Sequence, residues 1–218
     1  MATPKREWIE GATYHITNRG NHQENIFREI IDYSVYLSIL INTLKFYKEY
    51  NYKIISYCLM TNHVHILLKT GSKNPSYFMR RINSMYAKYF NEKYELVGHL
   101  FQGRYYTNLI TNITELIEVS RYIHLNPVKA KIVESPEEYI WSSYNKFILS
   151  DEYLESKISF NKIKIDLDLC LAEEEILGLF DIYTIVSESN KEILINKARK
   201  IIEDSKSKYK RFVEEKIE

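Results

Sequence analysis

Two strand-like segments that follow each other almost directly constrain the fold of this chain most strongly. Residues 52–59 and 63–69 are rich in apolar and β-branched side chains, and only residues 60–62 separate them. Strands joined by so short a connection pair antiparallel, because a parallel pair needs a long crossover. The two segments therefore predict a β-hairpin.

A strand and a helix precede this hairpin, and a helix and a strand follow it. Residues 11–18 have a strand pattern, and residues 27–50 carry apolar side chains at helical spacing. Residues 77–94 again show helical spacing, and residues 105–110 indicate a fourth strand. This order is that of the split βαββαβ, ferredoxin-like arrangement. It predicts an α+β fold in which a four-stranded antiparallel sheet carries two helices on one face.

A third helix is predicted from Thr114, whose hydroxyl can cap it, to about Leu125 or Asn126. It should end there because Pro127 disfavours a helical conformation in the residue before it. Tyr122 and Asn126 are four residues apart, so they lie on one side of this helix. If that side faces the hairpin, a hydroxyl and an amide oxygen converge on it.

The remainder of the chain is less regular. Residues 136–144 form an aromatic, irregular segment, and the polar residues 150–168 indicate a linker. Two more helical stretches are predicted over about 172–180 and 190–216. We therefore expect a folded domain over residues 1–149, followed by a linker and a helical C-terminal extension over residues 150–218.

Composition indicates a cytoplasmic globular protein. No apolar run approaches the roughly 20 residues of a membrane span, and the N-terminus lacks the apolar core of a signal peptide. Cys58 and Cys170 stand alone in apolar settings, which predicts buried thiols in a reducing compartment. The net charge is only +1, but residues 73–104 are locally basic, as in a polyanion-binding surface or a solvated helix face.

His63 and His65 flank Val64 within the third predicted strand. Residues i and i+2 of a strand point to the same face, so the two imidazoles project side by side while Val64 enters the opposite, buried face. This geometry suits two nitrogen ligands of one cation. Two partly buried histidines without a metal are the other interpretation of so short a motif.

Several motifs together resemble the HUH single-strand transposases of the insertion-sequence 200 type, nearest the REP-associated tyrosine transposases. The motifs are His63-Val-His65, Gly98-His-Leu-Phe-Gln-Gly-Arg104, Tyr122-Ile-His-Leu-Asn-Pro-Val-Lys129, Tyr14-His-Ile-Thr-Asn-Arg-Gly20 and Pro136-Glu-Glu-Tyr-Ile-Trp-Ser-Ser-Tyr144. The resemblance covers roughly residues 8–147, and residues 1–149 would accordingly be the catalytic domain.

The resemblance implies cleavage and transfer of single-stranded or hairpin DNA through a covalent 5′-phosphotyrosine. It makes Tyr122 the nucleophile, and His63, His65 and Asn126 the ligands of Mg²⁺ or Mn²⁺. Imidazole is a more natural ligand of Mn²⁺ than of Mg²⁺. The candidate DNA contacts are His15, Arg19, Arg80, Arg81, His99, Gln102 and Arg104. Within the family both dimers and monomers are expected, so a monomer and a homodimer both stay open.

Two other functions are compatible with the same residues. One is a non-catalytic or domesticated nucleic-acid-binding protein on a ferredoxin-like sheet. The other is a metal-dependent hydrolase in which the histidines activate water. They differ from the transposase at Tyr122, because only a transposase needs a covalent link between that residue and DNA.

Overall fold

The computed structural model of the protein describes residues 8–148 and 205–217. Its strands and helices, in chain order, are β1 (Thr13–Arg19), α1 (Ile30–Phe46), β2 (Lys53–Met60), β3 (His63–Lys69), α2 (Pro75–Tyr94), β4 (Tyr106–Ile110), α3 (Ile113–Lys129) and α4 (Tyr144–Ile148). Residues 205–214 form a further, C-terminal helix. The predicted linker over 150–168, the helix over 172–180 and the first part of the helix over 190–216 lie outside the described residues.

The four strands form one antiparallel sheet in the order β2–β3–β1–β4. This is the predicted split ferredoxin-like arrangement: β2 and β3 pair as a hairpin, and β1 lies between β3 and β4. The hairpin turn is only Thr61 and Asn62, so Met60, which the sequence pattern placed in the turn, belongs to β2.

Helices cover both faces of the sheet. Helices α1 and α2 pack side by side on one face, where the Asn18 side chain donates to Asn83 Oδ1 of α2 at 3.0 Å. Helix α3 packs on the other face, over β2 and β3. Strands β2 and β3 are consequently buried almost throughout, whereas the edge strand β4 is largely exposed.

Asp32 of α1 has a fully buried carboxylate, which binds donors from α2 and so links the two helices. The groups that donate to it, at 2.7–2.9 Å, are the Tyr89 and Tyr94 hydroxyls, Lys93 Nζ and the backbone N–H groups of Arg28 and Glu29. Burial alone raises the pKa of Asp32, but the hydrogen bonds from Lys93, Tyr94 and the two backbone N–H groups outweigh it and lower the pKa to about 2. Asp32 is therefore ionised in the folded protein at neutral pH.

Replacing Asp32 with Asn is expected to lower the free energy of unfolding at pH 7 by about 2–4 kcal/mol, because Lys93 loses its buried counter-charge. The folded-state pKa lies below the ordinary value of 3.8. The stabilisation is therefore present above pH 4 and is lost as the pH falls towards 2. Urea unfolding at pH 7 and at lower pH measures both effects.

Glu92→Gln is the matched control for that variant. Glu92 pairs with Lys88 on the exposed side of α2, so its loss should change the unfolding free energy by less than about 0.5 kcal/mol. A difference between Asp32→Asn and wild type that stays constant with pH would show that the charge of Asp32 does not stabilise the fold.

Two helices begin at residues other than the predicted ones, because polar side chains cap them there. Asn74 Oδ1 accepts from the Ser76 N–H at 2.8 Å, so α2 begins at Pro75. Asn112 Oδ1 accepts from the Glu115 N–H at 2.9 Å, so Asn112, not Thr114, caps α3. Helix α1 is shorter than predicted, and residues 48–50 form a separate 3-10 turn after it.

The predicted end of α3 is wrong, because the helix runs through Pro127 to Lys129. Proline has no N–H to donate to the carbonyl of Ile123. Asn126 Nδ2 lies 3.5 Å from that carbonyl and donates to the Tyr122 carbonyl at 2.8 Å. The side chain before the proline thus supplies a donor where the backbone has lost one, within the last turn of the helix.

The C-terminal helix packs against α3 through a buried polar network. The Tyr209 hydroxyl lies 2.6 Å from Ser120 Oγ and 2.8 Å from His124 Nδ1, and His124 Nε2 lies 2.8 Å from Ser143 Oγ. Burial lowers the pKa of His124 to about 3, so its ring is neutral. His124 is therefore a structural residue of this network.

Two expectations from composition concern parts that the structure describes. Cys58 is a free, fully buried thiol, as predicted, whereas Cys170 lies outside the described residues. None of the helices within residues 8–148 and 205–217 has both the length and the apolar character that crossing a bilayer requires.

Candidate active site

His63 and His65 project from β3 onto the sheet face that α3 covers, and Val64 is fully buried on the other face. This is the predicted disposition. Their ring centroids lie 4.9 Å apart with an interplanar angle of 81°. His63 is half-buried, and only 4% of the His65 surface is exposed.

Each of the two imidazoles is held through its Nδ1 atom. His63 Nδ1 lies 2.6 Å from Asn62 Oδ1. His65 Nδ1 lies 2.9 Å from His15 Nε2 and 3.3 Å from Thr17 Oγ1, both on β1. His65 Nε2 is buried and has no hydrogen-bond partner among the described residues. Both rings are thus held by contacts at their Nδ1 atoms.

Both imidazoles are neutral at pH 7. Burial, assisted by the positive charge of Arg19, lowers the pKa of His63 to about 4. The pKa of His65 is lowered to about 2, mainly by burial and to a smaller extent by the neighbouring His63 and His15 rings. A neutral imidazole has the free lone pair that a metal ion needs.

Tyr122 on α3 lies beside this pair within the same chain. Its ring centroid is 5.6 Å from that of His65 and 6.0 Å from that of His15. The side chain is 41% exposed, so a ligand in the cavity can reach it. Lys129 Nζ lies 4.8 Å from the centroid of the Tyr122 ring and adds a positive charge there. The structure therefore brings the ring of the predicted nucleophile beside the histidine pair.

Asn126, the predicted third ligand, is half-buried and does not line the cavity that contains His63, His65 and Tyr122. Its Nδ2 atom donates to the carbonyls of the preceding helical turn. No described residue donates a hydrogen bond to its Oδ1 atom, which is the atom that binds a cation. Its role as a ligand stays a prediction.

The histidine pair suits a divalent cation. A buried nitrogen without a partner, such as His65 Nε2, is rare unless a ligand, an ion or water meets it. Within residues 8–148 and 205–217, no three His, Cys, Asp or Glu side chains are grouped so that they could hold a metal ion. Within the described part of the chain, the remaining ligands would therefore be an amide oxygen, water or a phosphate.

Backbone hydrogen bonds hold the loop of residues 98–105 against the site. The Gln102 N–H donates to the Arg19 carbonyl at 3.0 Å, and the Asn21 N–H donates to the Leu100 carbonyl at 2.8 Å. Because Arg19 ends β1 next to His63 in the sheet, the loop is fixed at the edge of the histidine pair.

Two cavities meet at this loop. The smaller, of about 450 Å³, contains the two histidines and Tyr122. The larger, of about 980 Å³, lies between α2 and the loop, and we call it the α2 groove. Both are lined by Gln102, Gly103 and Arg104, so the groove leads directly to the histidine pair.

Most of the predicted DNA contacts lie on these cavities. Those that line the smaller one are His15, Arg19, Gln102 and Arg104, and those that line the α2 groove are Arg80, His99, Gln102 and Arg104. Arg81 lines neither of them, and its guanidinium packs 3.8 Å from the centroid of the Phe46 ring. Their role in DNA binding stays a prediction.

Two residues of the site were not predicted from the sequence. Asn62 meets His63, and Lys129 lies over Tyr122. Asn62 directly precedes His63 in the turn, and Lys129 follows Tyr122 by two helical turns. The spacing of both residues from the predicted site residues could therefore have indicated them. The pairing of His15 with His65 follows only from the register of β1 on β3.

Comparisons with known proteins point to one family. The profile of the family described as "Transposase IS200 like" matches residues 9–126. A Haemophilus influenzae protein described as a REP-associated tyrosine transposase is 26% identical over an alignment that covers 55% of this chain and 77% of that protein. A solved structure of a REP-associated tyrosine transposase bound to a REP hairpin superposes with a TM-score of 0.56 at 20% identity, over 68% of this chain and 86% of that chain. That superposition shows a shared fold.

Proposed function

The chain belongs to the IS200-like transposase family, and on that premise we propose that it cleaves and rejoins single-stranded DNA through a covalent link between Tyr122 and a 5′-phosphate. One observation carries this proposal: Tyr122 shares a cavity with His63 and His65 of its own chain, its ring 5.6 Å from that of His65. All three residues lie within the segment that the family profile matches.

In the proposed cleavage step, the Tyr122 oxygen attacks the scissile phosphorus and loses its phenolic proton. The bond between phosphorus and the 3′-oxygen breaks, and that oxygen leaves as a 3′-hydroxyl after it gains a proton. The ester that forms keeps the bond between phosphorus and the 5′-oxygen. A second 3′-hydroxyl can then displace Tyr122 and join two strands without ATP.

The side chains around Tyr122 have distinct parts in this step. His63 and His65 would hold the divalent cation through their Nε2 atoms, and Asn126 Oδ1 is the proposed third ligand. When bound there, Mn²⁺ or Mg²⁺ supplies Lewis-acid stabilisation of the charge that develops on the phosphate. Arg19 and Arg104 line the same cavity, where they offer fixed positive charge to the phosphate oxygens.

The α2 groove is the proposed path of the DNA strand. Its walls combine aromatic rings (Trp8, Tyr77 and Phe101), side-chain amides (Asn74, Asn83 and Gln102) and the guanidinium groups of Arg80 and Arg104. Rings on which bases stack and cations that follow the backbone are the features of single-strand binding. The fold relative bound to a REP hairpin supports hairpin DNA as the partner of this chain.

The placement of Tyr122 supports an active site completed by one subunit. Its ring approaches the histidines of the same chain, so no exchange of α3 between subunits is required. Both a monomer and a homodimer with two independent sites agree with this arrangement.

The proposed function is tested by incubating the protein with labelled single-stranded hairpin DNA and Mn²⁺. We expect a protein–DNA adduct that survives denaturation. Cleaved DNA without an adduct would instead indicate a metal-dependent hydrolase. Tight binding without cleavage would indicate a non-catalytic nucleic-acid-binding protein.

Replacing Arg104 with Ala is expected to weaken single-strand binding about 10-fold at 0.1 M salt, since a cation shared by both cavities is lost. The slope of log affinity against log salt should also fall by about one. Fluorescence anisotropy at several salt concentrations measures both changes.

Lys88→Ala is the control for that variant. It removes the same charge from the exposed side of α2, outside the groove, and should change affinity by less than about twofold. Equal losses in the two variants would mean that DNA binding responds to overall charge and not to the groove.

A further inference from the structure

We propose that His15 and Asn62 are positioning residues that fix the tautomers of His65 and His63, so that both Nε2 lone pairs face one cation. This inference rests on the proposed metal role of the histidine pair. It assigns two residues that do not themselves touch the cation.

The contact of Asn62 with His63 has only one possible direction. Asn62 Oδ1 is a carbonyl oxygen and can only accept, so the proton between it and His63 Nδ1, 2.6 Å apart, belongs to the imidazole. Asn62 Nδ2 donates to the Gln23 carbonyl at 3.2 Å, which holds the amide in this orientation. A neutral His63 therefore carries its proton on Nδ1 and its lone pair on Nε2.

The contact of His15 with His65 allows either nitrogen to be the donor. If His65 carries its proton on Nε2, a buried N–H has no acceptor among the described residues, and Nε2 has no lone pair left for a cation. If the proton is on Nδ1, it is donated to His15 Nε2 at 2.9 Å, and the Nε2 lone pair stays free. Only the second arrangement is compatible with a cation.

The packing of the two rings holds this contact in place. The His15 and His65 rings stack with centroids 5.2 Å apart and an interplanar angle of 23°. Thr17, the direct cross-strand neighbour of His65, brings Oγ1 to 3.3 Å from the same Nδ1 atom. Metal-binding histidines in proteins are generally oriented by such a partner on the other ring nitrogen.

The tautomers can be read directly by two-bond ¹H–¹⁵N correlation spectra of the ¹⁵N-labelled full-length protein at pH 7 without metal. The protein has six histidines, and single His→Gln variants assign the signals of each. We expect His63 and His65 both with the proton on Nδ1. A proton on Nε2 of His65 in the metal-free protein would overturn the assignment of His15, whether or not the protein forms DNA adducts.

Two variants of His15 test its effect on the cation. His15→Phe keeps an aromatic ring for stacking but removes the acceptor, so His65 should show mixed tautomers. If wild type binds Mn²⁺, its affinity in electron paramagnetic resonance titrations should fall roughly 10- to 100-fold in this variant. His15→Gln keeps an acceptor and should recover most of the loss.

His22→Asn is the control, because His22 is an exposed histidine outside the cavity. Unchanged His65 tautomer and Mn²⁺ affinity in His15→Phe would overturn the proposal. If wild type itself bound no Mn²⁺, the metal step of the proposed function would fail, while the spectra would still decide the tautomers.

Discussion

Tyr122→Phe is expected to abolish the covalent protein–DNA adduct and to lower strand cleavage at least about 10³-fold, because the variant lacks the oxygen that would attack the phosphate. The phenyl ring can still pack beside His65 and under Lys129, so the fold should be retained. Affinity for single-stranded DNA should change by less than about threefold, since the α2 groove is untouched. Denaturing gels with 5′- and 3′-labelled DNA measure cleavage and linkage together.

Tyr106→Phe is the matched control for this variant. Tyr106 lines the same cavity and is more exposed than Tyr122. The Tyr106→Phe variant therefore also loses one accessible tyrosine hydroxyl from this cavity. Its adduct formation should equal that of wild type. Cleavage that persists in Tyr122→Phe without any adduct would replace the transposase mechanism with attack by water.

His65→Phe is expected to remove divalent-cation binding and to lower adduct formation about 10²- to 10³-fold. Phenylalanine keeps an aromatic ring in place of the buried imidazole. It has no ring nitrogen, so the Nε2 atom that has no partner among the described residues is lost. Mn²⁺ titrations and adduct yields at saturating Mn²⁺ measure the two effects separately.

His124→Phe provides the comparison for His65→Phe. His124 is also a buried, neutral histidine, but it lies in the network with Tyr209 and Ser143. Its loss should lower the free energy of unfolding by about 1–3 kcal/mol and leave Mn²⁺ affinity unchanged. Normal Mn²⁺-dependent adduct formation by His65→Phe would show that this imidazole is not a ligand.

The sheet and the histidine pair followed from local patterns. The short connection between β2 and β3 fixed an antiparallel hairpin, and the period of two in β3 placed His63 and His65 on one face with Val64 on the other. The position of Tyr122 against that face needed the family resemblance, because helical spacing alone does not say which side of a sheet a helix covers.

Other features depend on contacts that a single sequence does not reveal. Helix α3 continues through Pro127, where the Asn126 amide reaches back to the carbonyls of the preceding turn. One partner of His124 is Tyr209, 85 residues further along the chain. The Nε2 atom of His15, whose DNA contact stays a prediction, lies against His65, and only the register of β1 on β3 determines that contact. Long-range contacts, not local propensity, fixed each of these outcomes.

The central claim is that Tyr122 forms the covalent bond to DNA, and peptide mapping of the adduct tests it most directly. The protein is incubated with Mn²⁺ and a short hairpin oligonucleotide, then digested with protease and nuclease. Tandem mass spectrometry should find the nucleotide attached through a 5′-phosphate to Tyr122. A nucleotide on any other of the 19 tyrosines, or cleaved DNA with no modified peptide, would contradict the account.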